Sequence, residues 1–280
     1  MSSTGLRITL VCSAVVVAFV LFMLPSQVNV KPKADDAMTP VNTGFDYPEL
    51  IKSAKTSLNE KQNSRFTTLE TSLAAYPDSL SLYDSIGKAW DMAGIPAISA
   101  YYFDKKAEKF PGEKNYLEAA YRYFDAYKIA GDTTLRAFMA QQAISSYKKV
   151  LAKNPSNLNA KTDLGVCYAE TTSDPMKGIT LLREVVAADP EHEMAQLNLG
   201  LLSLKSTQYA KAIERFNKVL AINPARTDVY LYLGETYIQM SDTVNAVKVF
   251  EKYKIKSDNY EMVQQVSKLL SDLKNSKVVS

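Results

Sequence analysis

Histidine is almost missing from this 280-residue chain: His192 is the single example, accompanied by two cysteines, one tryptophan and ten glycines. One imidazole, set between Glu191 and Glu193, cannot supply the three or four converging ligands that a metal needs. It reads as part of a solvated turn, with acids at a helix start where they complement the dipole. The cysteines, Cys12 and Cys167, form neither a disulfide framework nor a C-x-x-C pair. Cys167 reads as a small core residue, because no histidine stands near it in the sequence to activate a thiolate. There is no Gly-rich phosphate loop, nucleophile elbow or His-Asp-Ser set. Catalysis, a bound metal or cofactor and a small-molecule substrate are therefore not expected.

Charge of one sign is also lacking. Thirty-three basic and thirty acidic residues leave a formal net charge of +3. Lys105-Lys106 and Lys148-Lys149 are interleaved with acids or tyrosines and read as solvated helix faces, so no nucleic-acid partner is expected. A stacking platform built from Tyr101, Tyr121 and Tyr127 would suit bases or sugars, but helical spacing makes most tyrosines packing residues. No N-x-S/T sequon occurs, Asn154 being followed by proline. That absence favours a bacterial envelope over a eukaryotic secretory lumen.

The scarce glycines and prolines are regularly placed. Gly87, Gly165, Gly200 and Gly234 each follow a leucine or isoleucine, and the last three stand 35 and 34 residues apart. An alanine and an aromatic recur 12 and 16 residues after the glycine, as Ala212 and Phe216 and again as Ala246 and Phe250; Ser99 and Phe103 take these offsets from Gly87. Pro77, Pro111, Pro155, Pro190 and Pro224 end helices in the same phase, because proline removes a backbone donor and clashes with the preceding turn. Asp258 takes the next such place. Leu199, Leu202, Ala212, Ile213, Phe216 and Leu220 recur at the three- and four-residue spacing of amphipathic helices. Such hairpins cannot bury both apolar stripes alone and must stack on neighbours.

These residues resemble the tetratricopeptide repeat family, whose unit of about 34 residues is a helix-turn-helix. The resemblance implies an all-α, right-handed superhelical solenoid over residues 46–260. Its units run roughly over 46–79, 80–113, 114–157, 158–192, 193–226 and 227–260. The third carries about ten added residues around Gly131, which would bend or widen the stack. The fourth has one inserted residue near Asp174-Pro175, with Gly178 and Leu182 at the alanine and aromatic places. Residues 261–280, with Met262, Val266, Leu269, Leu270 and Leu273, read as a capping helix and tail over the last open face.

Ahead of the repeats, Ile8 to Leu24 is a 17-residue run without charge, preceded by a short tail (1–7) bearing Arg7. Its length approaches that of a bilayer's hydrocarbon layer, and Pro25-Ser-Gln-Val-Asn-Val offers no persuasive small-x-small cleavage site. It reads as a single transmembrane signal anchor, with 25–45 as a flexible linker. The expected place is a bacterial inner membrane with the repeats in the periplasm.

In this family the first helix of each unit lines a concave groove, and some members clamp a carboxylate there with Lys and Asn. This chain departs from that pattern, with Asp84 and Lys88, Glu118 and Arg122, Thr162 and Val166, Leu197 and Leu201, and Leu231 and Glu235 at the matching places; only Asn198 agrees. The same register puts Leu197, Asn198, Leu201, Leu204, Leu231, Glu235 and Ile238 in the groove of the last two units. An apolar stripe there suits a partner helix or an extended apolar peptide, unless the C-terminal helix covers it. The expected function is a non-enzymatic, membrane-anchored scaffold for a protein or peptide partner. The alternative is a permanent subunit of a larger envelope or secretion complex.

Overall fold

A computed structural model describes residues 45–278, so the proposed tail (1–7), anchor (8–24) and all but the last residue of the linker (25–45) lie outside the described residues. Among those described there are thirteen helices and no strand. They run α1 Tyr47–Thr56, α2 Glu60–Ala75, α3 Leu80–Met92, α4 Pro96–Lys109, α5 Glu113–Ile129, α6 Thr133–Lys153, α7 Leu158–Thr171, α8 Pro175–Ala188, α9 Glu193–Lys205, α10 Tyr209–Ile222, α11 Asp228–Gln239, α12 Thr243–Lys256 and α13 Tyr260–Val278. The chain divides into two compact units, one ending at Leu181 and the other beginning at Leu182, a boundary that falls inside α8. None of these helices is long and apolar enough to cross a membrane.

Local chemistry explains the helix ends. Side chains of Asp46, Asn59, Asp132, Asn157, His192 and Asp242 accept from the backbone N–H three residues on, satisfying donors that a helix start leaves open. His192 is thus a capping residue, and its Nδ1 accepts from Ala195 N at 3.2 Å. Pro77, Pro111, Pro155, Pro190 and Pro224 each stand two residues beyond the last helical residue of α2, α4, α6, α8 and α10. Within three hairpins the first helix closes on a left-handed residue, Gly94, Thr207 or Ser241, with φ of 76°, 58° and 60°. Ile95, Gln208 and Asp242 then donate to the carbonyls of Trp90, Ser203 and Tyr237, five residues back, completing the Schellman pattern.

In the unit of residues 45–181, α3 and α4 cross where Gly87 meets Phe103, and a Cβ on Gly87 would lie 2.6 Å from that ring. α7 and α8 approach still more closely, since a Cβ on Gly178 would lie 2.1 Å from the Gly165 carbonyl oxygen. The residues added to the third repeat form no bulge. They lengthen its helices to 17 and 21 residues, leaving a short turn around Gly131. The core here is aromatic, with Phe66 stacked on Trp90 at 4.0 Å and Tyr47 on Tyr101 at 4.3 Å. Buried Cys167 lies in the same core, and burial pushes its thiol far above the ordinary range, so it is inert packing.

In the unit of residues 182–278 the same joint recurs twice, with Gly200 against Phe216 and Gly234 against Phe250. Ala212, Phe216, Ala246 and Phe250 are all buried. The cap α13 lays Met262, Val266, Leu269, Leu270 and Leu273 against Tyr230, Phe250 and Tyr253.

Candidate protein-binding groove

The first helices α9 and α11 both pack on α10, and Leu197, Phe216, Val229 and Leu233 meet there in one buried cluster. Polar contacts close the ends of these hairpins. Arg226 Nη1 donates to Glu193 Oε1 at 2.6 Å while its Nε donates to Asp228 at 3.1 Å. Asn223, beside the helix-ending proline, donates to Glu193 Oε2 at 3.0 Å. Arg226 and Asn223 together hold the Glu193 carboxyl below its usual range.

Leu197 does not line the groove. It is 4% exposed and packs in the core shared by α9, α10 and α11, because the buried face of α9 takes a wider apolar stripe than the register assigned to it. Leu201 and Leu204 are half-buried against that cluster. Asn198 is half-buried and spends its amide on its own helix, donating to the Met194 carbonyl at 2.7 Å. Leu231 and Ile238 are half-buried against the cluster that α13 completes, so the capping helix covers part of α11. Glu235 lies between them in the same stripe, and burial alone pushes its carboxyl up to about 7.

The other places matched to the carboxylate clamp are occupied differently. Lys106 is 2% exposed, not part of a solvated face. It reaches from α4 to Asp84 Oδ1 on α3 at 2.6 Å and to Glu118 on α5, binding three helices together. Helical periodicity alone hides this residue, because an ammonium is buried only when acids from neighbouring helices meet it. Arg122 pairs with Asp91, and both Arg122 and Lys106 sit 4.8 Å from the Phe103 ring. Thr162 is buried and donates to the Leu158 carbonyl.

The tyrosines form no exposed platform. Tyr101 stacks on buried Tyr47, Tyr127 donates to the Glu170 carbonyl at 3.1 Å, and Tyr121, 42% exposed, meets Tyr147 edge-on. Among the described residues no group of three or more His, Cys, Asp or Glu could hold a metal ion.

Hairpins joined at a glycine-aromatic contact, capped at one end and bearing an apolar stripe on adjacent first helices, define an all-helical repeat protein. Residues 203–270 and 169–227 each match a model described as a tetratricopeptide repeat, which supports that family for the repeats. A TPR repeat-containing protein of Methanocaldococcus jannaschii is 24% identical over 251 residues, covering 79% of this chain and 42% of the relative. A putative cargo-transport protein of Schizosaccharomyces pombe is 28% identical over 126 residues, 43% of this chain and 14% of that one. The chain thus spans less than half the length of the curated relatives it matches. Among solved structures, the type IV pilus biogenesis factor PilW superposes with a TM-score of 0.54 at 15% identity, covering 78% of this chain and 95% of its own. A thermophilic TPR protein of Thermus thermophilus superposes with 0.51 at 14% identity, covering 69% and 99%. Both show the fold.

Proposed function

We propose that this protein is a membrane-anchored, non-enzymatic scaffold that recruits a protein or peptide partner through the α9–α11 groove, on the periplasmic side of a bacterial inner membrane. The observation that carries the reading is the stripe of half-buried Leu201, Leu204, Leu231 and Ile238 on two adjacent first helices. Apolar side chains left half-covered on a regular surface are what a partner's helix or extended segment buries. The anchor rests on the uncharged run 8–24.

A photo-crosslinking residue at position 201 of the full chain, in its own membrane, tests this. Capture of a defined partner through position 201, and not through exposed Lys211 on α10, is the expected result. Equal capture from both positions sinks the groove. A stoichiometric complex that survives solubilisation would instead make the protein a permanent subunit.

A further inference from the structure

Glu235 is the one carboxylate in the groove stripe, one helical turn from both Leu231 and Ile238. It is 7% exposed, and its Oε2 is sealed from solvent and accepts no hydrogen bond from the described residues. A buried carboxylate without a partner is costly, and an apolar residue of similar volume would pack there without that cost. Four cations of the same unit are held by other groups: Arg226 by Glu193 and Asp228, Arg215 by Gln196, and Lys254 and Lys274 by Glu251. Among the described residues no cation reaches the sealed oxygen of Glu235.

We infer that Glu235 sets the specificity of the groove, and that the occupant is a protein segment whose apolar face carries a single lysine or arginine side chain that pairs with this carboxylate. The inference rests on the reading of the groove as a protein-binding surface. The half-buried leucines bury any apolar face of the right width, so they discriminate poorly. The carboxylate discriminates well: a wholly apolar face leaves it unpaired, and an acidic face adds repulsion in a dry setting. The polarity is opposite to that of the clamp, in which the groove supplies the cations and the ligand the carboxylate.

The test uses the full chain in neutral-lipid nanodiscs and three dye-labelled helical peptides. Each has leucines at i, i+4 and i+7, and they differ only in a lysine, norleucine or glutamate within that stripe. Binding is read by fluorescence anisotropy against the unaltered chain and Glu235→Gln, with a circular-dichroism melt of each sample to confirm folding. The lysine peptide is expected to bind about tenfold or more tightly than the norleucine peptide, and the preference should vanish in Glu235→Gln. Equal binding of the lysine and norleucine peptides to the unaltered chain overturns the inference while leaving the groove standing. So does a lysine preference that survives in Glu235→Gln. Failure of all three peptides to bind overturns the groove along with it.

Discussion

At the residue scale, the tightest constraint is the space beside four glycines. A Cβ on Gly200 would stand 2.6 Å from the Phe216 ring, whose own burial leaves it little room to retreat. A Cβ on Gly178 would stand 2.1 Å from a backbone oxygen, which no rotamer can move. Helix propensity favours Ala over Gly by about 1 kcal/mol, while overpacking costs about 1–3 kcal/mol. Gly200→Ala is therefore expected to lower the melting temperature modestly and Gly178→Ala to lower it more; the reverse order in thermal melts would refute the joint geometry. Glu235 makes a second prediction. Its folded-state value, about 7, lies above the ordinary 4.5, so the folded state holds a proton that the unfolded chain releases between those values. Stability should thus fall as pH rises through that window and level off above it, a loss of up to about 3 kcal/mol. Glu235→Gln should melt with the unaltered protein at pH near 4.5 and above it at pH 8, and parallel melts at both pH values would show that the carboxyl is not desolvated. The glycine-aromatic pairs are legible in the sequence because both partners lie in one hairpin at a constant offset. Leu197 and Lys106 are not, because burial at those positions depends on which neighbouring helix meets them.

At the scale of the element, helix ends are legible wherever a side chain terminates or caps the backbone. The prolines two residues past the second helices and the acids or asparagines at helix starts need no tertiary contact to act. The left-handed closures at Thr207 and Ser241 escape a reading by residue type, although both fall seven residues after the repeat glycine, where Gly94 shows what the position demands. Non-glycine residues there bear a steric cost of about 1–2 kcal/mol that glycine avoids, partly offset by glycine's greater entropy when unfolded. Thr207→Gly is accordingly expected to raise the melting temperature, and more than Ser241→Gly does, because a β-branched side chain fits this region worst. A drop on Thr207→Gly in a scanning calorimetry trace would mean that its side chain holds the turn in some way the backbone does not reveal. The lengths of α5 and α6 are hidden for a related reason. Gly131 and Asp132 mark the turn, but nothing in a period of about 34 residues distinguishes added loop from added helical turns.

At the scale of the whole molecule, the period makes the architecture legible because each hairpin buries its stripes against its neighbours and so repeats the same few residue types. The boundary at Leu181–Leu182 leaves no mark in composition, since the apolar pattern runs through α8 without a break. The proposed placement of the groove at a membrane rests on the run from Ile8 to Leu24, 17 uncharged residues that as an ideal helix would be about 26 Å long. That approaches the hydrocarbon thickness of a bilayer, about 30 Å, and a charge at its centre should disfavour insertion by about 3 kcal/mol. The full chain is therefore expected to stay in the membrane pellet after alkaline carbonate washing, with a protease added outside intact spheroplasts degrading the repeats. Val16→Arg should move a substantial fraction into the wash. If the unaltered chain is washed free, or if its mass after membrane isolation shows that the run has been removed, the protein is not held by this segment. The groove would then meet its partner in solution.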